Sequence, residues 1–127
     1  MLGMTHILVV EDDLRVGAVL ELGLREEGFQ VDRVYDGEQA IARASNGNYD
    51  LVLLDFMLPG KSGPEVAQAL RDAGRRIPIL MLTARDAPDD LRHARECGVN
   101  EVLGKPFRFG ELLDRIQSLI EAAGAVP

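Results

Sequence analysis

An α/β fold around a parallel sheet is predicted by the way strand-like and helix-like periodicities alternate through five consecutive units, three of whose strand runs are continuously apolar. A further observation gives the sheet a direction. Residues 7–10 stop at Glu11 and Asp12, 51–54 at Asp55, 79–82 at Thr83, and 102–103 just before Lys105. In parallel strands these stops meet at one sheet edge, the edge where open α/β sheets bind ligands.

The first strand is predicted over 6–10, and the helix over 14–27 follows Asp13, a short acid that caps exposed amides. The strand over 30–34 is more polar, which suits a sheet edge, and a helix over 38–45 follows it. Next come a strand over 49–54, a helix over 64–73 and a strand over 77–82. The helix over 89–97 has a thin apolar stripe of Leu91, Ala94 and Cys97, so it is expected to be the least firmly docked. A short strand over 101–103 leads to the clearest helix, 109–122, where Phe109, Leu112, Leu113, Ile116, Leu119 and Ile120 fall at helical spacing. Gly28, Gly47, Gly74 and Gly98 stand just past helical runs, where a terminal cap needs a positive backbone angle. Such alternation calls for right-handed crossovers.

At 127 residues the chain is the size of one domain and long enough to bury a core. A net charge of −7 argues against nucleic-acid binding by this domain, which would need a basic face. No run approaches the roughly 20 apolar residues of a membrane span. The opening residues, Met1 to His6, lack a basic segment and a separate apolar one, so export is not expected and a cytoplasmic location is. A single cysteine, Cys97, has no partner for a disulfide and reads as a buried structural residue in a reducing compartment.

Glu11, Asp12 and Asp55 are expected side by side. Two like charges about 4 Å apart repel by roughly 4 kcal/mol at an effective dielectric of about 20, so clustered carboxylates need a cation. Mg²⁺ suits an all-oxygen set, whereas zinc would want a nearby His or Cys. A carboxylate can also attack a phosphoryl group, giving an acyl phosphate whose charge needs cations and donors. Lys105 and Thr83 would supply them.

Glu11-Asp12, Asp55 in the stretch from Leu54 to Gly60, Thr83-Ala84 and Lys105-Pro106-Phe107, in that order, resemble the receiver domain of bacterial two-component response regulators. The resemblance implies a single flavodoxin-like (βα)5 domain over 5–121 with a parallel five-stranded sheet in the order 2-1-3-4-5, leaving 122–127 as a tail or truncated linker. It implies that Asp55 accepts a phosphoryl group from a sensor histidine kinase or histidine phosphotransfer protein. Mg²⁺ would be held by Asp12, Asp55 and the backbone carbonyl of Met57, with Glu11 acting through an intervening water. Lys105 and Thr83 would bind the phosphoryl group, and the peptide bond before Pro106 would be cis. The domain would assist its own phosphorylation and dephosphorylation without being an enzyme.

Thr83-Ala84-Arg85-Asp86 and the stretch from Phe107 to Ile116 are most similar to receivers of winged-helix transcription factors, which pair through the fourth helix, fifth strand and fifth helix. Glu101, Glu111 and Arg115 match that face, while Leu91 replaces its usual basic residue. Val102 likewise stands where receivers carry a switching Tyr, Phe or His, so either coupling runs through the loop from Thr83 to Asp90 and the fourth helix, or this chain signals differently from its relatives. Met57 and Arg85 read from the residues as ordinary loop positions, while in the same family these two positions can tune phosphoryl lifetime. A haloacid-dehalogenase-type phosphatase would want an acid where Met57 stands, a metal-dependent nuclease fails at the same residue, and a flavin binder would not place three acids after the first strand. The alternative carried beside the phosphoacceptor is a non-phosphorylated, receiver-like interaction module.

Overall fold

The computed structural model describes residues 4–124, so Met1 to Gly3 and the last three residues of the expected tail lie outside the described residues. Five parallel strands alternate with five helices: β1 His6–Val10, α1 Leu14–Glu26, β2 Gln30–Val34, α2 Gly37–Asn46, β3 Leu51–Asp55, α3 Gly63–Asp72, β4 Ile79–Thr83, α4 Pro88–Glu96, β5 Glu101–Gly104 and α5 Phe109–Gly124. The sheet order is β2-β1-β3-β4-β5, the flavodoxin-like topology.

Strand side chains alternate between faces, and this alternation divides the core into two. Ile7, Val9, Leu51, Leu53, Leu80, Leu82 and Leu103 face α1 and α5, meeting Leu20, Leu24, Leu112 and Ile116. On the other side Leu8, Val10, Val52, Leu54, Ile79 and Met81 meet Ala40 and Ala44 of α2, Val66, Ala67 and Leu70 of α3, and Ala94 of α4. Burial on both faces explains why the central strands read as unbroken apolar runs. Among the described residues, no helix is long and apolar enough to cross a membrane.

Several boundaries move for local reasons. The fourth strand begins at Ile79, after Pro78, which has no N–H for a ladder but whose carbonyl accepts from Val52 at 2.9 Å. The fifth helix runs to Gly124, two residues past its expected end. Gly28, Gly74 and Gly98 have positive φ as expected, but Gly47 is extended at φ −101°. Its need for glycine is steric, since a Cβ there would lie 2.5 Å from the Tyr49 ring and 2.9 Å from the Arg43 carbonyl. Ala94 is the one buried residue inside α4, and Ala87 gives that helix no side-chain cap, consistent with weak docking.

Candidate functional site

The carboxyl ends of β1, β3, β4 and β5 gather the expected side chains because registered parallel strands finish together: Asp55 pairs with Leu82, and Thr83 with Gly104. The Glu11 amide still donates to the Val34 carbonyl at 3.2 Å, prolonging the β1–β2 ladder by one residue. Glu11 therefore keeps the strand's alternation and turns inward, only 2% exposed, whereas Asp12 leaves the ladder and is exposed. Asp13 caps α1 through the amides of Arg15 and Val16. Opposite, the Lys105 amide donates to the Thr83 carbonyl at 2.8 Å, bringing its side chain to the same edge.

Glu11, Asp12 and Asp55 each offer a carboxylate oxygen within 4.8 Å of the others. Lys105 Nζ is 3.1 Å from Asp55 Oδ1 and 3.6 Å from Glu11 Oε1. One ammonium thus contacts two of the three acids. Glu11 Oε2 accepts from the Asp13 amide at 3.1 Å, but the buried Oε1 has no hydrogen-bond partner among the described residues. Burial pushes the Glu11 carboxyl up from 4.5 to about 7; the Asp13 amide opposes this, the nearby charge of Asp55 adds to it, and Lys105 opposes it. An orphaned buried oxygen within an all-oxygen acidic cluster fits a hydrated, hard divalent cation.

Thr83 is buried beside this cluster, and its Oγ1 accepts from the Arg85 amide at 2.9 Å. The Lys105–Pro106 peptide is cis. Met57, two residues beyond Asp55, is 59% exposed. Val102 is half-buried against the core beneath α2, α3 and α4. On the expected pairing face Leu91 is half-buried and Glu111 exposed, but Glu101 and Arg115 already pair within the chain at 3.0 Å.

Sequence reading missed two supporting residues. Gly63 opens α3 so tightly against β3 that a Cβ would fall 2.4 Å from the Asp55 carbonyl oxygen and 2.8 Å from Met81 Cε. The available signal was Ser62 and Glu65, whose spacing makes a capping box and fixes the helix start one residue later. Phe56 is the other, a buried ring carrying the Arg85 guanidinium 5.1 Å from its centroid.

Residues 7–117 match the response regulator receiver domain family. The chain belongs to that family. This receiver domain is 42% identical over 120 residues to the transcriptional regulatory protein PcoR of Escherichia coli, covering 94% of this chain and 53% of that protein. It is 45% identical over 122 residues to TcrA of Mycobacterium tuberculosis, covering 96% of this chain and 48% of the relative. The receiver thus spans about half the length of the curated relatives it matches. Among solved structures, it superposes with a TM-score of 0.86 at 36% identity on the receiver domain of the sensor histidine kinase PA1611 from Pseudomonas aeruginosa, covering 94% of this chain and 99% of that one. That structure has a magnesium ion coordinated in its active site cleft. The receiver domain of the Francisella response regulator 1452 superposes with a TM-score of 0.88 at 26% identity, covering 94% of this chain and 98% of the other.

Proposed function

We propose that Asp55 is the phosphoacceptor of this receiver and takes its phosphoryl group from a phosphohistidine on a sensor histidine kinase or phosphotransfer protein. The observation that carries this reading is the placement of a strand-end carboxylate 3.1 Å from a lysine ammonium and inside a cluster of acids. An Asp55 carboxylate oxygen attacks phosphorus while the bond from phosphorus to the imidazole nitrogen breaks, and the electron pair leaves with the imidazole. Lys105 offsets charge on the transferred group, and the Thr83 hydroxyl donates to one of its oxygens. Asp12, Asp55 and the Met57 carbonyl would hold Mg²⁺, with Glu11 acting through water. The ion would supply positive charge to the crowded carboxylates and the phosphoryl oxygens. The same groups favour slow hydrolysis of the acyl phosphate, so the domain assists its own dephosphorylation.

The donor must reach Asp55 across the rim of this site. Val16, Val19 and Leu20 of α1 line an apolar groove together with Phe107 and Phe109, two and four residues past Lys105, and Leu14, Val19 and Leu22 are more than 60% exposed. That surface suits an amphipathic helix presenting the phosphohistidine. The output is a shift of the α4–β5–α5 face that favours a homodimer. The parent protein is read as a cytoplasmic transcription regulator with a winged-helix effector following the receiver. Treatment with a small acyl phosphate and Mg²⁺ should add one acid-stable, base-labile phosphoryl group by intact mass. EDTA and Asp55→Asn should each prevent it. An unmodified parent chain would overturn the reading and leave the interaction module.

A further inference from the structure

Arg85 makes three contacts that link the site to α4. Its amide donates to Thr83 Oγ1 at 2.9 Å, its guanidinium lies 5.1 Å from the Phe56 ring centroid, and its Nη1 reaches Asp90 Oδ2 at 3.2 Å. Phe56 directly follows Asp55, and Asp90 lies in the first turn of α4. One residue therefore touches the hydroxyl beside the acceptor, the ring next to the acceptor, and the helix beyond. That helix has no side-chain cap and buries only Ala94, so the Asp90 tether stands out among its attachments.

We propose that Arg85 is a latch holding the loop from Ala84 to Ala87 against Phe56 and tying α4 to it while Asp55 is unmodified. The proposal rests on Asp55 being the phosphoacceptor. When Thr83 Oγ1 turns toward a phosphoryl oxygen, the Arg85 amide must follow that oxygen or lose it. Either movement shifts the Arg85 backbone, and with it the stack on Phe56 and the pair with Asp90. An exposed ion pair alone would fix little, but here a cation–π contact holds the same guanidinium. Half-buried Val102 has no ring to rotate, so the connection to α4 runs through Arg85.

The test is hydrogen–deuterium exchange of amides 91–97, with and without acyl phosphate and Mg²⁺, with phosphoryl occupancy read by intact mass in the same samples. Arg85→Ala removes stack and pair but keeps the backbone amide. Asp90→Asn removes the ion pair and, with it, a first-turn charge that favours α4, while Arg85→Lys keeps the pair and loses the planar stack. Before phosphorylation, Arg85→Ala should exchange roughly five- to thirtyfold faster than the parent, and the two milder variants by roughly two- to fivefold. Phosphorylation should accelerate the parent and add little to Arg85→Ala at equal occupancy. The latch is overturned if Arg85→Ala exchanges within about twofold of the parent before phosphorylation, or responds to it as fully as the parent. A parent chain that gains no phosphoryl mass would instead overturn the phosphoacceptor reading, and the unphosphorylated comparison would still decide whether Arg85 clamps α4.

Discussion

Glu11 should make the metal-free receiver less stable as the solution becomes less acidic. Its carboxyl titrates at about 7 in the folded chain against 4.5 ordinarily, because burial penalises the charged form and Asp55 adds repulsion. Between those pH values the folded chain holds a proton that the unfolded chain has released. Stability is therefore highest below about 4.5 with respect to this group, falls as pH climbs, and levels off above about 7. At about 1.4 kcal/mol per unit the full displacement amounts to at most about 3–4 kcal/mol. Glu11→Gln keeps an acceptor for the Asp13 amide and carries no charge. In EDTA, urea unfolding at several pH values from 5 to 8 should show the variant gaining on the parent as pH rises, most at the upper end. Taking the difference between the two chains cancels the contribution of groups they share outside the acid cluster. A difference that stays flat from pH 5 to 8, or a variant less stable at pH 8, would refute the crowded buried carboxylate.

Two other substitutions test the same site. Asp55→Asn removes a charge from the three-acid cluster at the expense of the Lys105 pair, and in EDTA it should raise stability by about 1 kcal/mol, or a few degrees in melting temperature; a lower midpoint in EDTA counts against the repulsion argument. Gly63→Ala would normally favour a helix, but its Cβ meets the Asp55 carbonyl oxygen and Met81. It should cost about 1–3 kcal/mol and slow phosphoryl uptake, so an unfolding midpoint at or above that of the parent would show that the helix start can move away from β3.

The sheet was legible because burial on both faces leaves no room for polar residues in its central strands, and the end of each apolar run then marked the site. Roles within the acid pair were less legible. The sequence cannot show that the β1–β2 ladder continues for one residue, which turns Glu11 inward and frees Asp12. Gly63 escaped for a related reason, since its constraint is a carbonyl eight positions earlier that only the packing of α3 on β3 brings close. Arg85 reads as a loop residue until its partners, 29 positions before and 5 after it, meet around its guanidinium.

The pairing face poses a different problem, because its charges are present but already occupied. Glu101 and Arg115 pair within the chain at 3.0 Å, both about one-third exposed. Using either across a two-fold axis exchanges one partly exposed pair for another, with a net gain near zero. Affinity in the proposed homodimer must then come from new contacts, and Leu91 offers none to Glu111. Leu91→Arg would restore an opposite charge at that position, and symmetry would make the new pair twice. At about 0.5–1 kcal/mol per pair, the phosphorylated dimer should tighten by roughly five- to thirtyfold. Sedimentation equilibrium of the phosphorylated parent and variant measures this directly, and its salt dependence separates charge from packing. An unchanged dissociation constant would mean that position 91 does not face Glu111 across the axis, and that this receiver pairs through a different surface.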